Sequence, residues 1–229
     1  MTQTVKIAIL DNSIKPEMYR PVDHWTSFFD ADFESFRAAD HHFPDLDQGF
    51  THMIVTGSEA SIIHRDDWVS EEIEIVAAAM ARDIPILGSC WGHQLLALVI
   101  SGPGVVRRAP MPELGWLTIR IHEGREFFGD ARSFQAFSLH FDEVIGLGSE
   151  FRILASTDDC SIHAFQYRDR PIWGIQSHPE INIANGKSLL EDFRVVKPEI
   201  GPLIRRALDG ERRDSGSVKA ILDNFLRRG

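Results

Sequence analysis

The sequence has few cysteines and a shortage of positive charge. Only Cys90 and Cys160 occur among the 229 residues, which excludes a disulfide framework and a four-cysteine metal site. Lysine and arginine number 24 against 34 aspartates and glutamates, for a net charge of −10. Binding to nucleic acid or to an anionic membrane needs clustered positive charge, so neither partner is expected.

Long apolar runs are also missing. No stretch approaches the roughly 18 apolar residues of a membrane helix, and the N-terminus enters a strand-like run without the apolar core of a signal peptide. The expected location is therefore the reducing cytoplasm, where a free thiol persists. The histidines and cysteines lack the short spacings typical of metal sites, so no metal and no cofactor are predicted.

The chain is organised around one short stretch at residues 84–94. An apolar run stops at Gly88 and a helical pattern begins just beyond Cys90, which is typical of a buried strand that turns sharply into a helix. Backbone N–H groups at a helix N-terminus stabilise a thiolate and bind an oxyanion. The sequence Gly-Ser-Cys-Trp-Gly at 88–92 is thus a cysteine counterpart of the Gly-x-Ser-x-Gly turn of hydrolases. From the turn alone, an inert buried cysteine is equally favoured.

Short apolar runs alternate with helical patterns through the first hundred residues. Buried strands are predicted at 5–10, 52–55 and 84–87, and an amphipathic helix starts at Ser70. This alternation predicts an α/β fold with a flavodoxin-like, doubly wound, mostly parallel sheet flanked by helices. The aromatic segment 24–36 is interpreted as a helix that faces the core.

The second half of the chain predicts short strands followed by helices. The segment 102–115, rich in Gly, Pro and Arg, is interpreted as a loop before a half-exposed strand at 117–122. Hairpins packed against the parallel sheet, forming a small antiparallel region, are predicted from runs at 152–156, 161–166 and 171–176. Helices follow at 186–195, 198–210 and from 217 onward. The expected organisation is one main domain at 1–195 and a helical C-terminal extension at 196–229 packed on it.

A candidate base and acid for Cys90 lie some ninety residues downstream. His178 and Glu180 are two apart on an extended segment, so their side chains share one face. Glu180 can accept a hydrogen bond from one imidazole nitrogen while the other nitrogen faces a nucleophile, which favours a catalytic Cys90. Gly57 ends a strand on the same side of the sheet. Its N–H and that of Trp91 are candidate oxyanion donors, with a simple turn glycine as the alternative.

Five motifs together resemble the class I glutamine amidotransferases, a superfamily with a Cys-His-Glu triad. They are, in the family's order, Thr-Gly-Ser at 56–58, Gly-Ser-Cys-Trp-Gly-His-Gln at 88–94, Glu-Leu-Gly-Trp at 113–116, His-Phe-Asp-Glu-Val at 140–144 and Gly-Ile-Gln-Ser-His-Pro-Glu at 174–180. Ser89 stands where the family usually has an aliphatic residue, and Ser177 where an aromatic residue is common. Both positions lie beside the triad, where they can alter the fit of a substrate.

The resemblance implies a free-standing enzyme that cleaves a γ-glutamyl amide. Cys90 would attack the carbonyl to form a γ-glutamyl thioester, His178 would take and return the proton, and Glu180 would orient the imidazole. The oxyanion would be held by the N–H groups of Gly57 and Trp91.

The resemblance also implies the substrate and the residues around it. Glutamine or another γ-glutamyl small molecule is the expected substrate, on a side of the site lined by Gln94, Glu113, Gly115 and His140. Ammonia would be released or passed to a synthetase partner in trans. Two alternatives stay open: a γ-glutamyl peptidase that cleaves γ-glutamyl conjugates, and a noncatalytic regulatory subunit, against which the complete triad argues.

Overall fold

A nine-stranded sheet runs through the computed structural model, which describes residues 4–228. The strands are β1 Lys6–Asp11, β2 Asp32–Arg37, β3 His52–Val55, β4 Ile86–Ser89, β5 Val106–Ile121, β6 Ser133–Val144, β7 Phe151–Ser156, β8 Ala164–Tyr167 and β9 Ile172–Ile175. The helices are α1 Pro21–Thr26, α2 Val69–Ala81, α3 Trp91–Ser101, α4 Arg125–Phe128, α5 Ile183–Val196, α6 Gly201–Asp209 and α7 Ser217–Leu226. Within this described range, every helix is too short or too polar to cross a membrane.

The sheet is mixed, with strand order β2-β1-β3-β4-β9-β8-β7-β5-β6. The first five strands in this order pair in parallel, whereas the last five pair antiparallel. The α/β class predicted from the sequence is confirmed, but a flavodoxin-like, mostly parallel sheet is not. The hairpin strands continue the parallel sheet edge to edge through β9 instead of packing against it, because short connections favour antiparallel neighbours.

Two segments differ from their sequence-based interpretation. The predicted loop at 102–115 is largely strand, since β5 begins at Val106 and pairs with β6; its ladder shifts register between Arg108 and Glu113. Such an irregularity accommodates the prolines that favoured a loop. The predicted helix at 24–36 ends as α1 at Thr26, and strand β2 forms the rest of the segment from Asp32 onward.

The parallel strands are buried on both faces, which explains their continuous apolar runs. In β1, Ile7 and Ile9 belong to one core cluster, and Ala8 and Leu10 belong to the cluster on the opposite face. Helices α2 and α3 cover the face that carries Ala8 and Leu10, and α1, α4 and α7 cover the face that carries Ile7 and Ile9. A third cluster joins α5 and α6 to β6. The result is a rigid support for the carboxyl ends of β3, β4 and β9, where the candidate site lies.

Stability is expected to decrease on acidification because His52 is buried under α7. Its side chain is 1% exposed, its ring lies 5.0 Å from that of Phe225, and burial lowers the pKa of His52 to about 4 from 6.5. Between these two pH values the unfolded chain binds more protons than the folded one, so the free energy of unfolding falls as pH drops through this window. Urea denaturation at several pH values should show that the free energy of unfolding falls less steeply on acidification in His52→Leu than in the parent protein. The same pH dependence in both proteins would contradict the assignment of this effect to His52.

Candidate active site

The turn at Cys90 has a strained backbone. Strand β4 ends at Ser89, helix α3 begins at Trp91, and Cys90 between them has φ +48° and ψ −99°. A non-glycine residue in such a conformation costs ~1–3 kcal/mol and persists only where its surroundings hold it. The N–H of Cys90 donates to the carbonyl of Ile175 at 2.8 Å, which ties the turn to β9. The strain therefore lies at the candidate nucleophile.

The two glycines that flank Cys90 occupy positions where no side chain fits. A Cβ on Gly88 would stand 2.9 Å from the backbone nitrogen of His93, and one on Gly92 would stand 2.9 Å from the carbonyl carbon of Val55. The N–H of Gly92 donates to the carbonyl of Thr56 at 3.2 Å. Close backbone contact thus places the first turn of α3 directly beside the end of β3.

His178 and Glu180 come together just beyond β9. The Nδ1 atom of His178 lies 2.8 Å from Oε1 of Glu180, and the side chains are 4% and 1% exposed. The N–H of His178 donates to the carbonyl of Phe137 at 2.7 Å, which fixes the backbone against β6. Burial by itself lowers the pKa of His178, but the adjacent Cys90 and the Glu180 carboxylate overcome this effect and raise it. The buried imidazole, oriented by Glu180, is therefore the candidate base for Cys90.

The remaining elements of an acyl-transfer site surround Cys90. The thiol donates to the carbonyl of Leu139 at 3.9 Å. Among residues 4–228, the N–H groups of Gly57 and Trp91 donate to no backbone acceptor, so both are available to an oxyanion. A Cβ on Gly57 would stand 2.5 Å from Cε1 of His178, which shows that this glycine packs directly on the imidazole.

A cavity beside Cys90 holds about 420 Å³ of empty space, counting the part open to solvent. Gln94 and His140, two of the residues predicted for the substrate side, line this cavity. The Nε2 atom of Gln94 donates to the carbonyl of Asp142 at 2.9 Å and to Oε1 of Gln176 at 3.2 Å. The amide is thereby held in one orientation at the wall of the cavity.

Two residues predicted for the substrate side lie away from this cavity. Glu113 lies behind His140, with Oε2 2.8 Å from its Nε2. Gly115 has φ +99° and faces α6, where an added Cβ would stand 3.1 Å from that of Ala207. Glu113 thus supports His140 from behind, and Gly115 serves the packing of β5 against α6.

The part of the chain that the structure describes contains one group of side chains spaced to hold a metal ion. Glu113, His140 and Cys160 are buried and bring their ligand atoms within 4.8 Å of one another. His163 adds a nitrogen 3.4 Å from Oε2 of Glu113, and Thr157 donates to the same carboxylate. Burial raises the pKa of Glu113, but the two histidines outweigh it and hold the pKa well below its usual range. Burial raises the pKa of the Cys160 thiol. Glu113 is hydrogen-bonded to His140 and Thr157 without an ion, whereas both ring nitrogens of His163 lack a hydrogen-bond partner among the described residues.

Sequence reasoning missed Tyr19, which reaches the triad from the loop before α1. Its side chain is 3% exposed, and its hydroxyl lies 3.3 Å from Nδ1 of His178 and 3.4 Å from Oε1 of Glu180. Glu59 fixes this loop by accepting the N–H groups of Ile14 and Lys15 at 3.0 and 3.1 Å. No local motif marks Tyr19, and only the tertiary fold brings it to the histidine.

Glu72 is a second residue whose role the sequence does not reveal. In the sequence it is one of several acidic residues in the first turn of α2, yet in the structure it is fully buried. It accepts the indole N–H of Trp91 at 3.1 Å, and Trp91 stacks on Trp68 with ring centroids 5.0 Å apart. Burial raises the pKa of Glu72 to about 8. These contacts anchor the side chain of the residue that follows Cys90.

A cysteine on a strained strand–helix turn beside a buried His–Glu pair is the arrangement of a cysteine-nucleophile acyl-transfer site. Residues 38–196 match the family model of the class I glutamine amidotransferases, and the chain belongs to this family. The match confirms the resemblance predicted from the motifs and the class of enzyme that it implied.

Individual relatives agree with the family assignment. The glutamine-hydrolyzing GMP synthase subunit of Methanococcus aeolicus is 35% identical over 117 residues, which cover 50% of this chain and 61% of the relative. The corresponding protein of Sulfolobus acidocaldarius is 36% identical over 133 residues, covering 58% and 68%. The chain thus spans about three fifths to two thirds of the length of these relatives.

Solved structures show the same fold at low sequence identity. A glutamine amidotransferase of Thermotoga maritima has a TM-score of 0.79 at 18% identity, covering 98% of this chain and 97% of that one. A glutamine amidotransferase of Methylobacillus flagellatus has a TM-score of 0.68 at 17% identity, covering 97% and 90%. The likeness extends to both the parallel and the antiparallel halves of the sheet.

Proposed function

We propose that the protein hydrolyses the side-chain amide of glutamine through a γ-glutamyl thioester on Cys90. The observation that carries this proposal is the strained turn at Cys90 beside the buried His178–Glu180 pair. Membership of the class I glutamine amidotransferases supports the choice of a γ-glutamyl amide as the bond attacked.

Each residue has a defined task in the proposed reaction. His178 takes the proton of Cys90, and the thiolate attacks the amide carbon while the N–H groups of Gly57 and Trp91 hold the oxyanion. The protonated His178 then gives its proton to the leaving nitrogen, and ammonia departs as the thioester forms. A water molecule, deprotonated by His178, then attacks the thioester carbon and the C–S bond breaks. Glutamate leaves, and His178 returns its proton to the sulfur of Cys90. Glu180 keeps Nδ1 protonated throughout, so that Nε2 carries out each transfer.

The ammonia is either released or passed to a synthetase partner in trans. The relatives are named as subunits of a glutamine-hydrolyzing GMP synthase, which supports a partner that uses the ammonia.

The amidotransferase domain in this proposal spans 1–195, with 196–229 packed on it as an extension. A reducing compartment, the cytoplasm, keeps the Cys90 thiol free.

The test is an assay of the purified chain with glutamine and with a γ-glutamyl peptide. We expect equimolar glutamate and ammonia from glutamine, and one covalent adduct at Cys90 from a glutamine-mimicking electrophile, detected by peptide mass spectrometry. Cys160, which is 1% exposed and kept as a thiol, should stay unlabelled and serves as the internal control.

Two results would replace this proposal with one of its alternatives. Rapid cleavage of the γ-glutamyl peptide by a chain that leaves glutamine intact would establish a γ-glutamyl peptidase. Failure of the electrophile to label Cys90, both alone and in the presence of a synthetase partner, would establish a noncatalytic role.

A further inference from the structure

The two reacting side chains open onto different cavities. Cys90 lines the cavity of about 420 Å³, whereas His178 and Tyr19 line a smaller one of about 240 Å³, both counted with the part open to solvent. The two cavities adjoin, because both are lined by Ser58, Glu59, Leu139 and Phe193. In the proposed reaction the leaving nitrogen must come within hydrogen-bond reach of His178. The leaving group therefore points into the smaller cavity, and the acyl part of the substrate occupies the cavity of Cys90.

Two cations line the outer part of the cavity of Cys90. Arg108 and Lys197 also line the open groove next to it, which holds about 1050 Å³ including the part open to solvent. Both stand over the ring of Phe141, with the guanidinium carbon 5.0 Å and the ammonium nitrogen 4.5 Å from its centroid. A shared aromatic platform thus holds both positive groups at the mouth of the cavity, on the acyl side of Cys90.

The carboxylates of this cavity are already engaged, whereas the cations keep free donors. Asp142 accepts from the hydroxyl of Ser61 at 2.5 Å and from Arg108 at 3.2 Å. Glu59, the other carboxylate of the cavity, accepts two backbone N–H groups. Arg108 leaves 59% of its side chain exposed, and within residues 4–228 Lys197 has no carboxylate oxygen within 4.0 Å. The mouth of the cavity therefore has unused capacity for an anionic group of a ligand.

We propose that Arg108 and Lys197 bind the α-carboxylate of the γ-glutamyl substrate. The inference rests on the proposed function, because the reaction decides which part of the substrate lies in this cavity. Asp142 pairs with the guanidinium and offsets one of the two positive charges. The remaining single positive charge matches that of one substrate carboxylate. The substrates so selected are γ-amides of amino acids with a free α-carboxylate, and simple aliphatic amides of the same length are excluded.

The test compares ligands that differ only in the charged groups of the amino-acid end. L-Glutamine, glutaramic acid without the α-amine and 4-aminobutanamide without the α-carboxylate are titrated into Cys90→Ala protein by calorimetry, so that the readout does not depend on turnover. We expect Arg108→Gln and Lys197→Gln each to weaken binding of the first two ligands roughly tenfold, as loss of a charged hydrogen bond does. Binding of 4-aminobutanamide should stay the same. In the active protein, the same variants should raise KM for glutamine and change kcat less than twofold.

Arg107→Gln is the matched control, since Arg107 pairs with Glu143 at 2.8 Å and does not line the cavity. Arg108→Gln also removes a hydrogen-bond partner of Asp142, so Lys197→Gln is the decisive variant. A Tm equal to that of the parent protein shows that Lys197→Gln is folded. Unchanged binding of glutamine by this variant, or equal weakening for glutamine and 4-aminobutanamide, would overturn the proposal. If the glutamine-mimicking electrophile still labels Cys90 in the parent protein, the proposed function stands and only the assignment of Arg108 and Lys197 is wrong.

Discussion

Cys90→Ala is expected to lower glutamine turnover by at least about 10⁴-fold, because the thioester cannot form without the sulfur. The fold should persist, since alanine keeps the Cβ and the site contributes only a small side chain to packing. Ammonia release measures the activity, and thermal unfolding measures the stability. Cys160→Ala is the matched control: Cys160 is equally buried but lies behind His140, so most of the activity should remain.

Cys90→Gly distinguishes the backbone strain at residue 90 from the chemical role of the thiol. Glycine tolerates φ +48° without a steric penalty, so this variant should be more stable than Cys90→Ala by about 1 kcal/mol while it is equally inactive. Urea denaturation of both variants gives the comparison. Full activity in Cys90→Ala would show that the proposed mechanism is wrong, and equal stability of the two variants would show that the turn stores no strain.

Glu180→Gln is expected to lower kcat by about 10²- to 10⁴-fold and to leave measurable turnover. A glutamine amide can present its NH₂ group to Nδ1 of His178, which favours the tautomer with the imidazole proton on Nε2. In that tautomer Nε2 cannot accept the proton of Cys90. The buried imidazolium also loses its nearest negative charge, so the pKa of His178 should fall from its raised value. Residual activity is expected because Cys90 and the two oxyanion N–H groups remain. Steady-state kinetics over a range of pH measures both effects.

Tyr19→Phe is the comparison for Glu180→Gln, because it removes a neutral hydroxyl that donates to Oε1 of Glu180 and lies 3.3 Å from Nδ1 of His178, while the charge of Glu180 stays. Its loss of kcat should stay within about tenfold. Tyr167, the other of the two tyrosines in the sequence, lies on β8, and Tyr167→Phe should have no effect on turnover. A Glu180→Gln protein with the parent kcat would remove Glu180 from the mechanism.

The local motifs contain most of the information on the residues nearest the reaction. Cys90 follows a buried strand and precedes a helix, as the apolar pattern predicts, although the strand is Ile86–Ser89 and not 84–87. His178 and Glu180 are two residues apart, so an extended backbone suffices to place them on one face. These inferences need only the conformation of a few neighbouring residues, which short-range sterics and hydrophobic periodicity determine.

The segment 102–115 shows where such local inference ends. Its glycines, prolines and arginines predict a loop, but pairing with β6 makes strand of it from Val106 onward. Arg108 consequently faces the cavity of Cys90, although it carries no motif of its own. Tyr19 likewise reaches His178 from a loop whose Lys15 N–H donates to the distant Glu59. Pairing and loop closure between residues far apart in the chain decide these positions.

The sequence by itself therefore determined the α/β class, the family, and the candidate nucleophile, base and acid, because each depends on patterns within a few residues. Only the tertiary structure decided that half of the sheet is antiparallel, that Glu113 and Gly115 lie away from the cavity, and that Tyr19, Arg108 and Lys197 lie beside it. The physical reason is that strand partners and cavity walls arise from contacts between distant segments. No local propensity specifies which segments meet.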